Sequence, residues 1–129
     1  MLTEKTAMIN ALAALEPFER PTVWVINRSS HDYSGAERFG TVRVLSDGPV
    51  NRYATGKIFR AFAFSLRESK PSDYILLTGL TVMACIACVI FAVKHKTLNM
   101  LIFKPATHTY CERRMDLSDL ENFENEPEM

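Results

Sequence analysis

Three kinds of residue in this chain could do chemistry: a Cys-x-x-Cys pair, a His–Asp doublet, and a few polar side chains set among aromatic and apolar ones. Cys85 and Cys88 have the spacing of a redox or metal motif. Such a motif needs an accessible thiolate in electropositive surroundings. This pair instead sits within an uncharged helical pattern, so it reads as two small hydrophobes of a buried helix. His31 and Asp32 are adjacent, and neighbours on an extended segment point to opposite faces. His31, His95 and His108 are too scattered to form a metal set. Neither a G-x-S-x-G nor a Walker-type phosphate loop occurs. The chain therefore reads as a binder and not an enzyme, with no cofactor and no metal.

A site for a small anionic molecule has more support. In LLTGLTV a strand ends at Thr78, Gly79 permits close backbone approach, and the next helix offers unpaired N–H groups to a phosphate. An ordinary strand-to-helix turn would look the same. Arg113 stands beside Arg114, and alternation sends one to each face of a strand. A guanidinium grips phosphate or stacks on adenine, although an exposed salt-bridge face is the simpler reading. Asn99 lies in the apolar strand LNMLIF, where a buried amide either braces the core or reads a ligand edge. Tyr33 and Phe39, in YSGAERF beside Arg38, supply either a stacking surface or core. Arg60, on the polar side of a helix, is a further candidate cation.

The elements that must position these residues follow from periodicity. TVWVIN (22–27) and TVRVL (41–45) read as strands, with a short turn or helix between them closed by Gly40. SDGP is a turn. Ile58, Phe59, Phe62 and Leu66 mark a helix that Pro71 follows. Residues 4–16 read as an amphipathic helix with its stripe at Ala7, Met8, Ala11, Leu12 and Leu15.

Residues 74–93 carry no charge, and their length would span a membrane. A single-pass protein is thus one alternative. The stronger reading divides the run at Gly79 into a strand and a helix, joined at once to LNMLIF as a βαβ unit. The expected fold is α/β, with α+β as its alternative: one small sheet of about five strands, two main helices on one face, and an N-terminal helical appendage. The expected divisions are an appendage at 1–21, a ligand-binding domain at 22–117 and a disordered acidic tail at 118–129.

Length suggests a single domain, and 47% hydrophobic with 23% charged residues is ordinary for a globular one. A net charge of zero hides an asymmetry, because six acidic and no basic residues follow Met115. The body before them has a basic surplus of six, which suits an anionic partner. The tail could equally be solubilising, or bait for a basic protein in a small protein-binding module. Three cysteines without a signal-peptide pattern point to a reducing compartment.

The ordered blocks VINRSSHDYSGAERFG, VNRYATGKIFRAF, DYILLTGLTVMACIACVIFAVKHKTLNMLIF and TYCERRMDL resemble the first type of Thoeris anti-defence protein of bacteriophages, over about residues 22–117. The resemblance implies a sponge in the host cytoplasm that holds a cyclic ADP-ribose derivative without cleaving it. It also implies a homo-oligomer, dimer or hexamer, with ligand at subunit interfaces. Some relatives take up cyclic oligonucleotides as well; no polymeric nucleic acid and no membrane is implied as partner. The family's ligand-contacting Asn and Arg match Asn99 and Arg113. Thr78, Tyr33, Phe39 and Arg60 are added on the physical grounds given above. The Asn that some relatives carry before the alanine-rich helix is Ala84 here, so that role does not carry over.

Overall fold

A computed structural model of the chain describes residues 3–14 and 20–123. Five strands, β1 (Thr22–Val25), β2 (Thr41–Val44), β3 (Tyr74–Leu76), β4 (Thr97–Lys104) and β5 (Thr109–Asp116), form one sheet in the order β2-β1-β3-β4-β5. The first four are parallel, and β5 returns antiparallel to β4. The helices are α1 (Glu4–Ala14), α2 (Thr55–Leu66) and α3 (Thr81–His95). This is the α/β architecture that the sequence implies, with two main helices on one face.

Alternation along the strands sorts the core into two layers. Trp24, Ile75 and Leu98 face the helices and meet Phe62, Met83 and Phe91. Val23, Val25, Leu76 and Leu101 face the other way, where the β1–β2 connection lays Ala36 against them. Each fully buried large side chain stabilises the fold by about 1.5–3 kcal/mol.

The uncharged run from residue 74 is not one rod. It comprises β3, a break at residues 77–80, and α3. The break turns at Gly79, whose φ of 86° lies in the left-handed region that glycine enters without a Cβ penalty. Among the described residues, no helix is long and apolar enough to cross a membrane. The single-pass alternative is therefore corrected: β3, α3 and β4 form the βαβ unit, and β3 pairs in parallel with β4.

Three local expectations need revision. On α2, Ile58, Phe62 and Leu66 are buried, but Phe59 is exposed. One helical step turns the side chain by about 100°, which carries Phe59 off the buried row. On α3 the row facing the sheet is Met83, Ala87 and Phe91, and Cys85 points to the exposed side. Cys88 is half-buried, and its thiol is pushed up to about 11 by burial and then by Cys85, so Cys88 is no ready thiolate.

The third concerns α1. Its stripe residues Ala7, Met8 and Ala11 are exposed, and Thr6 is buried instead. The helix docks through polar atoms. Asn10 accepts the Val44 N–H at 3.0 Å and donates to the Val44 carbonyl at 3.1 Å, taking the place of a further strand beside β2. Thr3 and Thr6 both donate to Asp47 Oδ2. At the other end, Leu117–Phe123 form a 3-10 helix that begins in the expected domain (22–117) and runs into the stretch 118–129. Residues 15–19 and 124–129, on which the remaining N-terminal and tail expectations fall, lie outside the described residues.

Candidate functional site

The site is built from Asp73 outward. Asp73 is fully buried, with its carboxylate between the turn before β3 and the start of β1. Oδ1 accepts the Thr22 N–H at 2.8 Å. Oδ2 accepts the Trp24 indole N–H at 3.0 Å and the Lys70 N–H at 2.9 Å. Lys70 Nζ lies 3.8 Å away. A carboxylate held by that many donors fixes the 70–73 turn rigidly against the sheet.

That turn presents its carbonyls to Asn99 on β4. Asn99 Nδ2 donates to Pro71 O and to Asp73 O, both at 2.8 Å. Two carbonyls can face only the amide nitrogen, so the orientation of the side chain is settled. The other end, Oδ1, is buried and has no hydrogen-bond partner among the described residues; Asn99 itself is 6% exposed. Leaving a buried acceptor unmatched costs about 1–3 kcal/mol. Asn99 lines a cleft of about 230 Å³ with Pro21, Ser72, Tyr74, Glu112 and Arg114.

The walls carry chemistry of both signs. Arg114 pairs directly with Asn99 across β4 and β5, so both stand on one face of the sheet. Its Nε donates to Thr97 Oγ1 at 3.3 Å, and among the described residues its terminal nitrogens have no acceptor. Tyr74 donates its hydroxyl to Glu112 Oε2 at 2.5 Å. Burial, and then Glu112, push the phenol up to about 12, so it remains a neutral donor. The ring of Phe39 meets Tyr74 edge-on, with centroids 5.7 Å apart, and the Arg38 guanidinium lies 4.5 Å above Phe39.

Of the residues read from sequence, Asn99 and Phe39 converge here. Arg113 pairs with Met100 and therefore stands on the helix-bearing face, opposite to Asn99. Thr78 lies past the carboxyl end of β3, at the far end of the sheet. Tyr33 is also elsewhere: its hydroxyl is 3.0 Å from Ser29 Oγ and 3.4 Å from the Asn27 carbonyl, and its ring meets His31. Arg60 is exposed on α2, its guanidinium beside Gly56. Sequence reasoning missed Arg114, Tyr74 and Glu112. Alternation about a fixed hairpin register would have found Arg114.

One further pair looks catalytic. Ser69 Oγ lies 2.8 Å from His95 Nε2. However, Ser69 donates its proton to the Leu66 carbonyl at 2.6 Å, so His95 must donate from Nε2. Lys94 Nζ also donates to the Leu66 and Arg67 carbonyls. The group thus satisfies the last carbonyls of α2. Burial first, then Lys94, hold His95 below its ordinary value of 6.5. The unfolded chain therefore binds more protons near that pH, and stability falls as pH drops through the window below 6.5. Denaturant titrations across that window should show this slope in the native chain and lose it in His95→Gln, whose amide can still donate to Ser69. A slope that persists in the variant would assign it to another group.

Among the described residues, no cluster of His, Cys, Asp and Glu could hold a metal ion. Compared with known proteins, residues 21–117 match the family model described as phage Pam3 gp32-like protein. No curated protein and no solved structure matches the chain.

Proposed function

We propose that this chain, which belongs to the phage Pam3 gp32-like protein family, is an anti-defence sponge that binds a cyclic ADP-ribose-type immune signal in the host cytoplasm and holds it without cleaving it. The unmatched, buried Oδ1 of Asn99 carries this reading. With both amide hydrogens spent, Asn99 can only accept, so it selects a ligand N–H or O–H such as an adenine amino group or a ribose hydroxyl. Arg114 supplies the cation for a phosphate. The Tyr74 and Phe39 rings, with Arg38 over the latter, supply an apolar wall.

The cleft of about 230 Å³ lies below the usual range for a complete small-molecule pocket, roughly 300–1,000 Å³. It suits a base or a phosphate with its ribose. A second subunit then completes the enclosure, as the resemblance to Thoeris anti-defence proteins implies. Sequestration needs affinity and slow release, and fixed donors and acceptors provide both without any group that attacks the ligand.

Calorimetry of the purified chain against cyclic ADP-ribose derivatives and cyclic oligonucleotides tests the reading, followed by heat release and chromatography of the ligand. Uptake and release of unchanged ligand is the expected result; a cleaved product would replace the sponge with an enzyme. Arg114→Ala should weaken binding by roughly 10- to 100-fold, the worth of one charge-assisted contact. Arg113→Ala, on the opposite face, should leave binding within about twofold. The reverse ranking would move the site to the helix-bearing face.

A further inference from the structure

We infer that the outward face of α2, with the turn before it, binds a linear single strand of nucleic acid. Arg60, which the Asn99 cleft leaves unused, is one of four cations here: Arg52, Lys57, Arg60 and Arg67 are all exposed. From Gly48 to Arg67 the chain has no carboxylate. Among the described residues none of the four cations is in an ion pair; the salt bridges join Arg43 to Glu68 and Lys70 to Asp73. The first of these also neutralises Glu68, the first acid beyond the helix. Helical spacing puts Lys57, Arg60, Phe64 and Arg67 in one stripe about 15 Å long, opposite to the buried Ile58, Phe62 and Leu66.

Three aromatic rings stand among these cations. Tyr53 is 84% exposed, Phe64 66% and Phe59 51%. The Arg67 guanidinium lies 3.8 Å from the centre of the Phe64 ring, and that of Arg52 lies 5.9 Å from the Tyr53 ring. Cations alternating with rings suit a single strand, because cations follow its phosphates while rings stack on its bases. At the helix start Ala54 provides no side-chain cap, so the first-turn N–H groups lack a partner within the helix, at the end that carries Arg52 and Lys57. A cleft of about 230 Å³ opens there, lined by Asn51, Ala54 and Lys57. Asp47 borders the same cleft, with its Oδ2 engaged by Thr3 and Thr6.

Other anionic partners fit this surface less well. In a duplex the base faces are stacked on one another, so the rings would find nothing to stack on. A helix that lies on a membrane sends a continuous apolar row into the lipid. The apolar row of α2 is already buried in the core. An acidic peptide would answer the cations but would give Tyr53 and Phe64 no flat partner.

The resemblance to anti-defence sponges implies no polymeric nucleic acid, so the inference rests on this surface alone. Asn99 and Arg114 stand on the opposite face of the sheet from α2, which keeps the two sites separate. The test is fluorescence anisotropy of a labelled oligo-dT strand of about 12 nucleotides, titrated with the full chain at about 50 and 200 mM salt. Binding at the lower salt is expected to weaken roughly 20- to 50-fold at the higher, because three or four phosphate contacts on a single strand give a slope of about −2 to −3. Arg60→Ala should weaken binding and reduce that slope by about 0.7. Tyr53→Ala should weaken binding by roughly 5- to 150-fold and leave the slope unchanged, since stacking releases no counterion. Arg114→Ala, in the cleft, should leave binding of the strand within about twofold. A duplex of the same length, anionic phospholipid vesicles and polyglutamate are titrated in parallel. No binding at the lower salt overturns the inference, as does a duplex, vesicle or polyglutamate bound as tightly as the strand. Binding that survives both Arg60→Ala and Tyr53→Ala, or that only Arg114→Ala weakens, also overturns it. Both substituted positions on this face are exposed, so far-UV circular dichroism should be unchanged. Should one of the two variants fail to fold, the other decides.

Discussion

Asp73→Ala is expected to lower the unfolding free energy by about 3–5 kcal/mol, the usual cost of breaking a buried charged network by removing one member. Three N–H donors, from Thr22, the Trp24 indole and Lys70, lose their acceptor at once. Nothing replaces it, since the residue is fully buried. A domain with a typical stability of about 5–15 kcal/mol is left marginal. The damage reaches the site as well, because the turn that Asp73 anchors supplies both carbonyls that hold Asn99. Asp73→Asn should be milder, although its NH₂ must then face one of the same donors. Urea titration of the three proteins measures this. A loss under about 1 kcal/mol in the alanine variant would mean that the network matters little.

Gly40→Ala should be comparably severe, for a steric reason. A Cβ at this position would stand 2.2 Å from the Pro21 carbonyl oxygen and 2.8 Å from its carbon. Both atoms are backbone, so no side chain can swing aside. The same oxygen accepts the Thr41 N–H at 2.9 Å, the hydrogen bond that starts β2 beside β1. Relieving the clash separates the strands at their origin, at a cost of roughly 3 kcal/mol or more. Gly35→Ala is the natural control. Its new Cβ would meet only the Tyr110 ring at 3.6 Å, an ordinary contact. Thermal unfolding of the two variants should differ by about 10 °C or more, given a shift of several degrees per kcal/mol at this size. Similar midpoints would show that the 21–40 junction can relax.

Most of the sheet was legible because its signals are apolar and local. The β-branched runs at Thr22 and Thr41, the glycine break at 79 and the uncharged run after it all lie where their periodicity places them. What escaped was carried by polar atoms or by register. The docking of α1 depends on Asn10, Thr3 and Thr6, and no hydrophobic stripe announces such a contact. Asn99 was legible as a buried amide that demands partners, but its companion was not. Choosing between Arg113 and Arg114 requires the β4–β5 register, which a turn opposing Lys104 to Thr109 sets. A shift by one residue exchanges the two faces. Asp73 gave no signal at all, because a lone carboxylate before a strand resembles any surface turn residue.

The amide of Asn10, lying along the outer margin of β2, has a consequence for how this molecule behaves when it is abundant. Lateral growth of one sheet onto the next needs free backbone on both flanks of each molecule, and here one flank has its Val44 peptide groups already occupied. That contact hinders the addition of a further strand at the Val44 end of β2 while the fold is intact.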